Sequence, residues 1–230
     1  MAERTYENCW FKETCNKKCN MACGTFNEFK YLLDNSGIPE MYKEPKKLYP
    51  ETVDLEAFKT LANIKNDIEN FVDNNRQLYL WSKNTGNGKS NFICKILLTY
   101  LALIATGNGF NLDNGVYFCY LPDLVTLTTS FENKDRDKIL NNIMTRKLVV
   151  LDDVGASGVN SSFVATNLSQ IIDTRYRNNL ATIYTSNLSP DELNNNMGAR
   201  LVDRICSDVV IRLQGSSHRR STSIYNEVTG

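Results

Sequence analysis

A short glycine-rich loop constrains this sequence more than any other feature. It reads SKNTGNGKS over residues 82–90 and separates the apolar run QLYLW from the longer apolar run NFICKILLTYLALIA. Glycines at positions 86 and 88 let the backbone curl, so that successive amide groups face phosphate oxygens at the positive end of the following helix. The pattern of strand, loop and helix predicts a phosphate-binding loop, or P-loop, formed by Thr85, Gly86, Asn87, Gly88, Lys89 and Ser90.

The same loop contains two residues with predicted roles in binding phosphate and magnesium. Lys89 would reach the β- and γ-phosphates of a nucleotide, and the Ser90 hydroxyl would coordinate magnesium. One position departs from the usual pattern GxxxxGK[ST], because Lys83 stands where the first glycine is expected. This departure predicts a looser exit from the strand and a weaker affinity for nucleotide.

A second motif, RKLVVLDDVG, supplies carboxylates. Its β-branched and apolar residues end in Asp152 and Asp153, as a buried parallel strand should end. The carboxyl edge of such a sheet faces the phosphates, so Asp152 would hold magnesium through water and Asp153 would orient or deprotonate the attacking water. The two motifs together predict an α/β fold in which helices flank a parallel sheet.

Hydrophobic periodicity outlines the remaining elements. A polar residue, Asn187, follows the last predicted strand and could position the lytic water. The predicted elements are a helix over 54–72, strands over 77–81, 115–120 and 181–186, and helices from near 122 and over 163–177.

Composition bounds the class of protein. The 230 residues are 42% hydrophobic, enough for one main core, and the 26 basic and 26 acidic residues balance, unlike those of a dedicated duplex-DNA binder. The start, MAERTYENCW, lacks the apolar segment of a secretory signal, which predicts a cytoplasmic protein. The longest apolar stretch, residues 92–105, is interrupted by polar residues and is too short to span a bilayer, so it predicts a buried helix.

The seven cysteines are unevenly distributed. Three stand singly in apolar surroundings and are predicted to lie in the core, namely Cys94, Cys119 and Cys206. Four crowd into a Cys-x5-Cys-x3-Cys-x3-Cys segment, and four thiolates from a short segment suit tetrahedral zinc. A zinc site is therefore predicted at Cys9, Cys15, Cys19 and Cys23. An iron–sulfur cluster and four unrelated thiols are the alternatives.

Prolines mark a division of the chain. Pro45 and Pro50 fall in YKEPKKLYPETV, which predicts an extended linker. We expect residues 1–45 to form a cysteine-rich domain with the start of the linker, and residues 46–230 to form the nucleotide-binding domain.

Later segments resemble the AAA+ ATPases, and among them the DnaC/DnaI/IstB group. The strand end TSN is similar to sensor I, GARLVDR to the GxRxxDR segment, GSSHRR to sensor II, and IPEMY to the IPxxY element that precedes the ATPase domain. The resemblance places Asn187 between the carboxylates and the γ-phosphate. It makes Arg204 a finger on the neighbouring subunit's nucleotide, with Arg200 as the first arginine of the segment, and Arg219, or else Arg220, the sensor II residue.

The resemblance implies a function. Members load the hexameric replicative DNA helicase onto single-stranded DNA, with ATP bound between protomers of a short spiral and hydrolysed, with magnesium, to release the helicase. The cysteine-rich front is similar to the zinc-binding adaptor of DnaI-type loaders, although it is shorter and differently spaced. The short ending predicts a reduced AAA+ core with no full helical lid. The asparagine- and lysine-rich composition is compatible with a phage or a mobile element.

Two other functions compete with helicase loading. One is an IstB-like transposition ATPase acting with a transposase, which the cysteine cluster disfavours. The other is a non-enzymatic zinc adaptor with a degenerate nucleotide site, against which the intact Lys89, Ser90, Asp152 and Asp153 argue.

Overall fold

The structure, a computed structural model, describes residues 9–12, 15, 23–107, 115–124, 136–155 and 162–217, and of residues 162–165 only the backbone. Helices alternate with strands along most of this part of the chain. In order, the elements are α1 (Gly24–Asp34), α2 (Glu40–Lys43), α3 (Leu55–Asn66), α4 (Ile68–Asp73), β1 (Gln77–Trp81), α5 (Lys89–Thr106), β2 (Val116–Tyr120), α6 (described over 121–124), α7 (Arg136–Thr145), β3 (Leu148–Asp152), α8 (Ser162–Arg177), β4 (Ala181–Ser186), α9 (Pro190–Met197), α10 (Ala199–Ile205) and β5 (Val209–Arg212).

The five strands form one parallel sheet in the order β2-β3-β4-β1-β5. β4 therefore lies between β1, which leads into the P-loop, and β3, which ends in the two carboxylates. The register aligns the strand ends, since Trp81 of β1 pairs with Ser186 of β4. All carboxyl ends meet at one edge of the sheet, where the predicted site residues follow the strands.

Two apolar layers cover the two faces of the sheet. Successive side chains of a strand point to opposite faces, so Leu78 and Leu80 join one layer while Tyr79 joins the other. The first layer contains α1, α3, α4 and α5, and the second contains α7 to α10. The prediction of a parallel α/β sheet flanked by helices is confirmed.

Helix α5 is the central helix of the first layer. Most of its side chains are buried, including Ile93, Cys94, Ile96, Leu97, Leu98 and Leu101, which have no exposed surface. Its length and composition alone would allow it to cross a membrane, but 61% of it is buried inside the protein. The prediction of a buried helix is confirmed.

The helix predicted over residues 54–72 is two helices. A 3-10 turn, Thr52–Asp54, comes first, and the path then breaks at Asp67, whose φ of −119° and ψ of 40° are not helical. The Asp67 carboxylate accepts a hydrogen bond from Asn70 Nδ2 at 3.0 Å. A short acidic side chain of this kind competes for local hydrogen bonds, and buried residues of both α3 and α4 still belong to the first apolar layer.

The segment that precedes the predicted domain boundary packs into the core. Phe29, Leu32 and Ile38 are buried in the same layer as α5. The Phe118 amide of β2 donates to the Ser36 carbonyl at 2.7 Å. The division at residue 45 stays a prediction, and the structure adds that residues 24–38 share the core of the sheet.

A buried arginine fastens α8 to the sheet. The Arg175 side chain is 0% exposed and donates to the carbonyls of Ile143, Arg146 and Ala181 and to the Thr182 hydroxyl, at 2.6–3.0 Å. Burial lowers the pKa of Arg175 to about 10. The planar guanidinium satisfies several carbonyls at once, which no periodicity in the sequence predicts.

Candidate nucleotide-binding site

The P-loop joins the end of β1 to the first turn of α5. Gly86 and Gly88 have φ angles of 76° and 93°, the left-handed region that glycine enters without steric cost. Gly88 also admits a close neighbour, because a Cβ there would lie 2.6 Å from Leu48 Cδ1. α5 begins at Lys89, so its free amide groups lie where an anion is stabilised.

The strand exit at Lys83 does not need the missing glycine. Lys83 is not among the residues with positive φ, and its side chain makes an ion pair with Glu192. The exit is fixed by Ser82, whose hydroxyl accepts from the Asn84 amide at 3.1 Å and from Asn87 Nδ2 at 2.6 Å. The expected loosening is therefore not observed, and the expected loss of affinity stays a prediction.

The hydroxyl and carboxylate expected at magnesium are in contact. Ser90 Oγ donates to Asp152 Oδ1 at 2.9 Å, and Thr185 Oγ1 donates to the same oxygen at 2.5 Å. Burial raises the pKa of Asp152 above its ordinary value of 3.8, while the hydrogen bonds from Thr185 and Ser90 oppose the rise. Hydroxyl and carboxylate oxygens are the ligands that Mg²⁺ prefers.

Asn187 bridges the lysine and the second carboxylate. Lys89 Nζ donates to Asn187 Oδ1 at 3.0 Å, and Asn187 Nδ2 donates to Asp153 Oδ1 at 3.1 Å. The bridge follows from the strand order, because β4 carries Asn187 between β1 and β3. We call Lys89, Ser90, Asp152, Asp153 and Asn187 the nucleotide site. A cation, a hydroxyl, two carboxylates and an amide converge there, as phosphoryl transfer to water requires.

Comparison with known proteins places the chain in a family. A model of the IstB-like ATP-binding proteins matches residues 49–225. The chain belongs to this family. The nucleotide site of this IstB-like protein lies entirely inside the matched region.

Two relatives of the IstB-like chain are both described as replicative helicase loaders. The replicative helicase loader DnaI of Bacillus subtilis (strain 168) is 30% identical over 114 residues, which cover 44% of this chain and 37% of DnaI. The replicative helicase loader DnaC of Buchnera aphidicola subsp. Baizongia pistaciae (strain Bp) is 25% identical over 178 residues, which cover 76% of this chain and 68% of DnaC. The first match thus spans little more than a third of that relative's length.

A solved structure shows the shared fold. The crystal structure of the DnaC helicase loader matches with a TM-score of 0.61 and 21% identity, over 76% of this chain and 99% of that chain. The expectation of an AAA+-like α/β fold for the IstB-like chain is confirmed.

Three site residues of the IstB-like chain were not predicted from its sequence. Ser82 fixes the loop, Thr185 bonds to Asp152, and Asn84 Nδ2 donates to the Gln214 carbonyl at 2.7 Å. For Thr185 the signal was a polar residue inside an apolar strand. Thr85 is exposed and Asn87 is buried, and the Asn87 side chain serves the loop through Ser82.

The predicted finger lies apart from the nucleotide site of its own chain. Arg200 and Arg204, which we call the arginine pair, both form ion pairs with Asp173 of α8. The Arg204 guanidinium also lies over the Tyr176 ring, 5.6 Å from its centroid. Within the described residues, the guanidinium contacts of the arginine pair are with α8. The sensor II residue Arg219 and its alternative Arg220 lie outside the described residues.

The prediction that three cysteines lie in the core is confirmed for two of them. Cys94 and Cys119 are buried, and burial raises the pKa of Cys119 to about 12, whereas Cys206 is half-buried. Cys9 and Cys23 are half-buried and Cys15 is exposed. Among the described residues no group of three or more His, Cys, Asp or Glu side chains is arranged to hold a metal ion. Cys19 lies outside them, so the zinc site stays a prediction.

Proposed function

We propose that this IstB-like protein is a magnesium-dependent ATPase that loads a replicative DNA helicase onto single-stranded DNA in the bacterial cytoplasm. The observation that carries the proposal is the bridge from Lys89 through Asn187 to Asp153, beside the Ser90–Asp152 contact. Kinship with two replicative helicase loaders supports the choice of partner.

Each residue of the nucleotide site has a proposed role. Lys89 leaves Asn187 and contacts the β- and γ-phosphates, while the P-loop amides from Thr85 to Ser90 cradle the phosphate oxygens. Ser90 coordinates magnesium, and Asp152 holds the ion through water. Asp153 orients or deprotonates the attacking water, and Asn187 lies between this carboxylate and the γ-phosphate. Hydrolysis supplies the step that releases the helicase.

The neighbouring protomer completes the proposed site. Arg204 of one subunit contacts the γ-phosphate held by Lys89 of the next, and Arg219 acts as the sensor II arginine of its own chain. A guanidinium suits the first role because it is planar, always charged and able to stabilise the spreading negative charge. ATP therefore links protomers into a short spiral, and turnover is slow until helicase and single-stranded DNA assemble that spiral.

The cysteine-rich front is proposed to bind zinc and to dock the helicase. Cys9, Cys15 and Cys23 are at least partly exposed, so their thiols are accessible to a metal ion, and Cys19 belongs to the same spacing. Zinc would order this segment. Metal analysis of the purified protein tests this directly: one zinc per chain, lost in a Cys9→Ala/Cys15→Ala variant, is expected, and iron instead would indicate a cluster.

Complex formation with a replicative helicase tests the proposed function. We expect a stable complex by size-exclusion chromatography with light scattering, stronger with ATP than without it. The matched controls are Lys89→Ala, which removes the ATP dependence, and Lys59→Ala, an exposed lysine paired with Glu56, which leaves the complex unchanged. If the wild-type protein binds ATP but forms a complex with none of the candidate host helicases, the proposal is overturned.

A second function draws on the family description. The matched family is described as IstB-like ATP-binding proteins. We infer as the alternative a transposition ATPase of the IstB kind, which would act with a transposase and use the same nucleotide site. The same chromatography with a transposase distinguishes the two, since each function predicts a complex with its own partner.

A further inference from the structure

The linker that precedes α3 lies along the P-loop and the first turn of α5. The Asn91 side chain makes two hydrogen bonds with the backbone of Lys46, accepting from its amide and donating to its carbonyl, each at 2.9 Å. Further on, the Leu48 side chain lies so close to Gly88 that a Cβ there would meet it. The linker is therefore bound to the nucleotide-binding core.

At the end of this linker, a buried carboxylate holds the segment that leaves β5. Asp54 is 3% exposed, and its two oxygens accept hydrogen bonds from the amides of Gln214 at 2.7 Å and Gly215 at 2.8 Å. The approach requires glycine, because a Cβ at 215 would lie 2.7 Å from Asp54 Oδ2. Glu51 extends the contact by accepting from the Ser216 amide at 2.9 Å.

The P-loop holds the same two residues from the other side. Asn84 Nδ2 donates to the carbonyl of Gln214 at 2.7 Å and to that of Gly215 at 3.1 Å. The Asn84 carbonyl in turn lies 3.5 Å from Lys89 Nζ. A continuous series of contacts thus runs from Asp54 through residues 214–215 to Asn84 and then to the phosphate-binding lysine.

We propose that Asp54 is a positioning residue for ATP binding, acting through residues 214–215 on Asn84 and so on the P-loop. The inference rests on the proposed function, in which Lys89 binds the phosphates. A carboxylate fits the place because it only accepts, and two amide donors converge on it. An amide side chain at 54 would set a donor against a donor, shift residues 214–215 and remove the acceptors of Asn84.

A double-mutant cycle on ATP affinity tests the proposal. The variants are Asp54→Asn, Asn84→Ala and both together, with titration of a fluorescent ATP analogue in the presence of magnesium and thermal unfolding of each protein. If the two residues act in series, each single change raises Kd about 10-fold and the double change raises it about 10-fold as well, because coupled residues are not additive. Glu56→Gln is the matched control, since this exposed acid of α3 pairs only with Lys59 within the described contacts, and its Kd stays within about 2-fold of wild type.

The outcomes separate this inference from the proposed function. A wild-type protein that binds no ATP overturns both, whereas a wild type that binds ATP with an unchanged Kd in Asp54→Asn overturns only the positioning role. Additive effects, with the double variant near 100-fold, also overturn it, since a merely structural Asp54 would lower the unfolding temperature without coupling to Asn84. If Asp54→Asn does not fold, Gly215→Ala replaces it in the cycle, because its Cβ displaces the same peptide.

Discussion

The nucleotide site and the arginine pair belong to one chain but differ in how their contacts are made. In the nucleotide site, side chains from three separate elements meet, because β4 brings Asn187 between Lys89 and Asp153. In the arginine pair, both guanidinium groups turn to Asp173 of α8. The Arg200 side chain is 75% exposed and that of Arg204 is 17% exposed.

The difference separates the site that one chain forms from the arginine that we propose a neighbouring chain supplies. Strand order and register create the nucleotide site at the carboxyl edge of the sheet. Two of its residues begin α5, and the other three lie at or just after the ends of β3 and β4. Arg204 instead forms an ion pair with Asp173 of α8, and its proposed phosphate belongs to another protomer. The first two predictions below test whether the two regions are separable in this way, and the next two sharpen the account of the nucleotide site.

The largest expected effect is on stimulated hydrolysis. Arg204→Ala should lower the rate of phosphate release with helicase and single-stranded DNA about 10³-fold, the value of an arginine finger, and leave the Kd for ATP within about 2-fold of wild type. Arg177→Ala is the matched control, because Arg177 is an exposed arginine at the end of α8. Wild-type stimulated turnover in Arg204→Ala would make the assignment as a finger wrong.

Lys89→Ala should weaken ATP binding itself, which Arg204→Ala should leave unchanged. Removing the lysine from the nucleotide site should raise the Kd for ATP about 100-fold, because charge-assisted hydrogen bonds to phosphate are lost. Titration with a fluorescent ATP analogue measures this, with Lys59→Ala, an exposed lysine of α3, as the control. Unchanged affinity in Lys89→Ala would mean that ATP binds elsewhere.

Asp152→Asn should stabilise the nucleotide-free protein at neutral pH. Burial raises the pKa of Asp152 above its ordinary value of 3.8, so the folded state binds the proton more tightly than the unfolded state does. The free energy of unfolding therefore falls as pH rises from the ordinary pKa through the raised one. Asparagine carries no charge, and Tm should rise by about 2–4 °C, as about 1 kcal/mol produces in a chain of this size.

The pH dependence distinguishes this cause from others. The gain in Tm should shrink as pH is lowered toward the ordinary pKa of aspartate, because the wild-type carboxyl is then protonated as well. The exposed Asp137→Asn serves as the control. A loss of stability at pH 7 would show that the hydrogen bonds to the carboxylate outweigh its burial.

The smallest effect is expected at the departure from the P-loop pattern. Lys83→Gly restores the usual residue, but Lys83 has no left-handed backbone to relieve and its ion pair with Glu192 is exposed. The Kd for ATP should therefore stay within about 2-fold of wild type, as expected for a surface ion pair. A large gain in affinity would restore the expectation that the missing glycine weakens binding.

Local patterns predicted the fold and the centre of the site. Short apolar runs predicted the strands. Asp152 at the end of one strand, Asn187 after another and Lys89 in the loop after a third had to lie at the carboxyl edge of a parallel sheet, so they could be brought together in advance. The strand order was not predictable from periodicity, yet it is what places Asn187 between the lysine and Asp153. Contacts between residues distant in sequence were missed for the same reason.

Asp54 and Arg175 show why those contacts escape a reading of the sequence. Asp54 accepts a hydrogen bond from the amide of Gly215, a residue near the other end of the nucleotide-binding domain in sequence. From the sequence alone, its position just before α3 indicates only an ordinary helix-initiating residue. Arg175 reads as a surface arginine near a helix end, but four hydrogen bonds hold it inside the core. The break at Asp67 was also hidden, because the apolar periodicity continues across it.

The most direct test of the account mixes two inactive proteins. Lys89→Ala retains the finger and lacks the lysine, and Arg204→Ala has the reverse, so only a mixed interface between them has a complete site. Equal amounts, assembled with helicase and single-stranded DNA, should recover about a quarter of the wild-type rate of phosphate release, as random pairing across a head-to-tail interface predicts. Failure of the mixture to hydrolyse ATP, when mixed oligomers are shown to form, would contradict the claim that neighbouring subunits share the site.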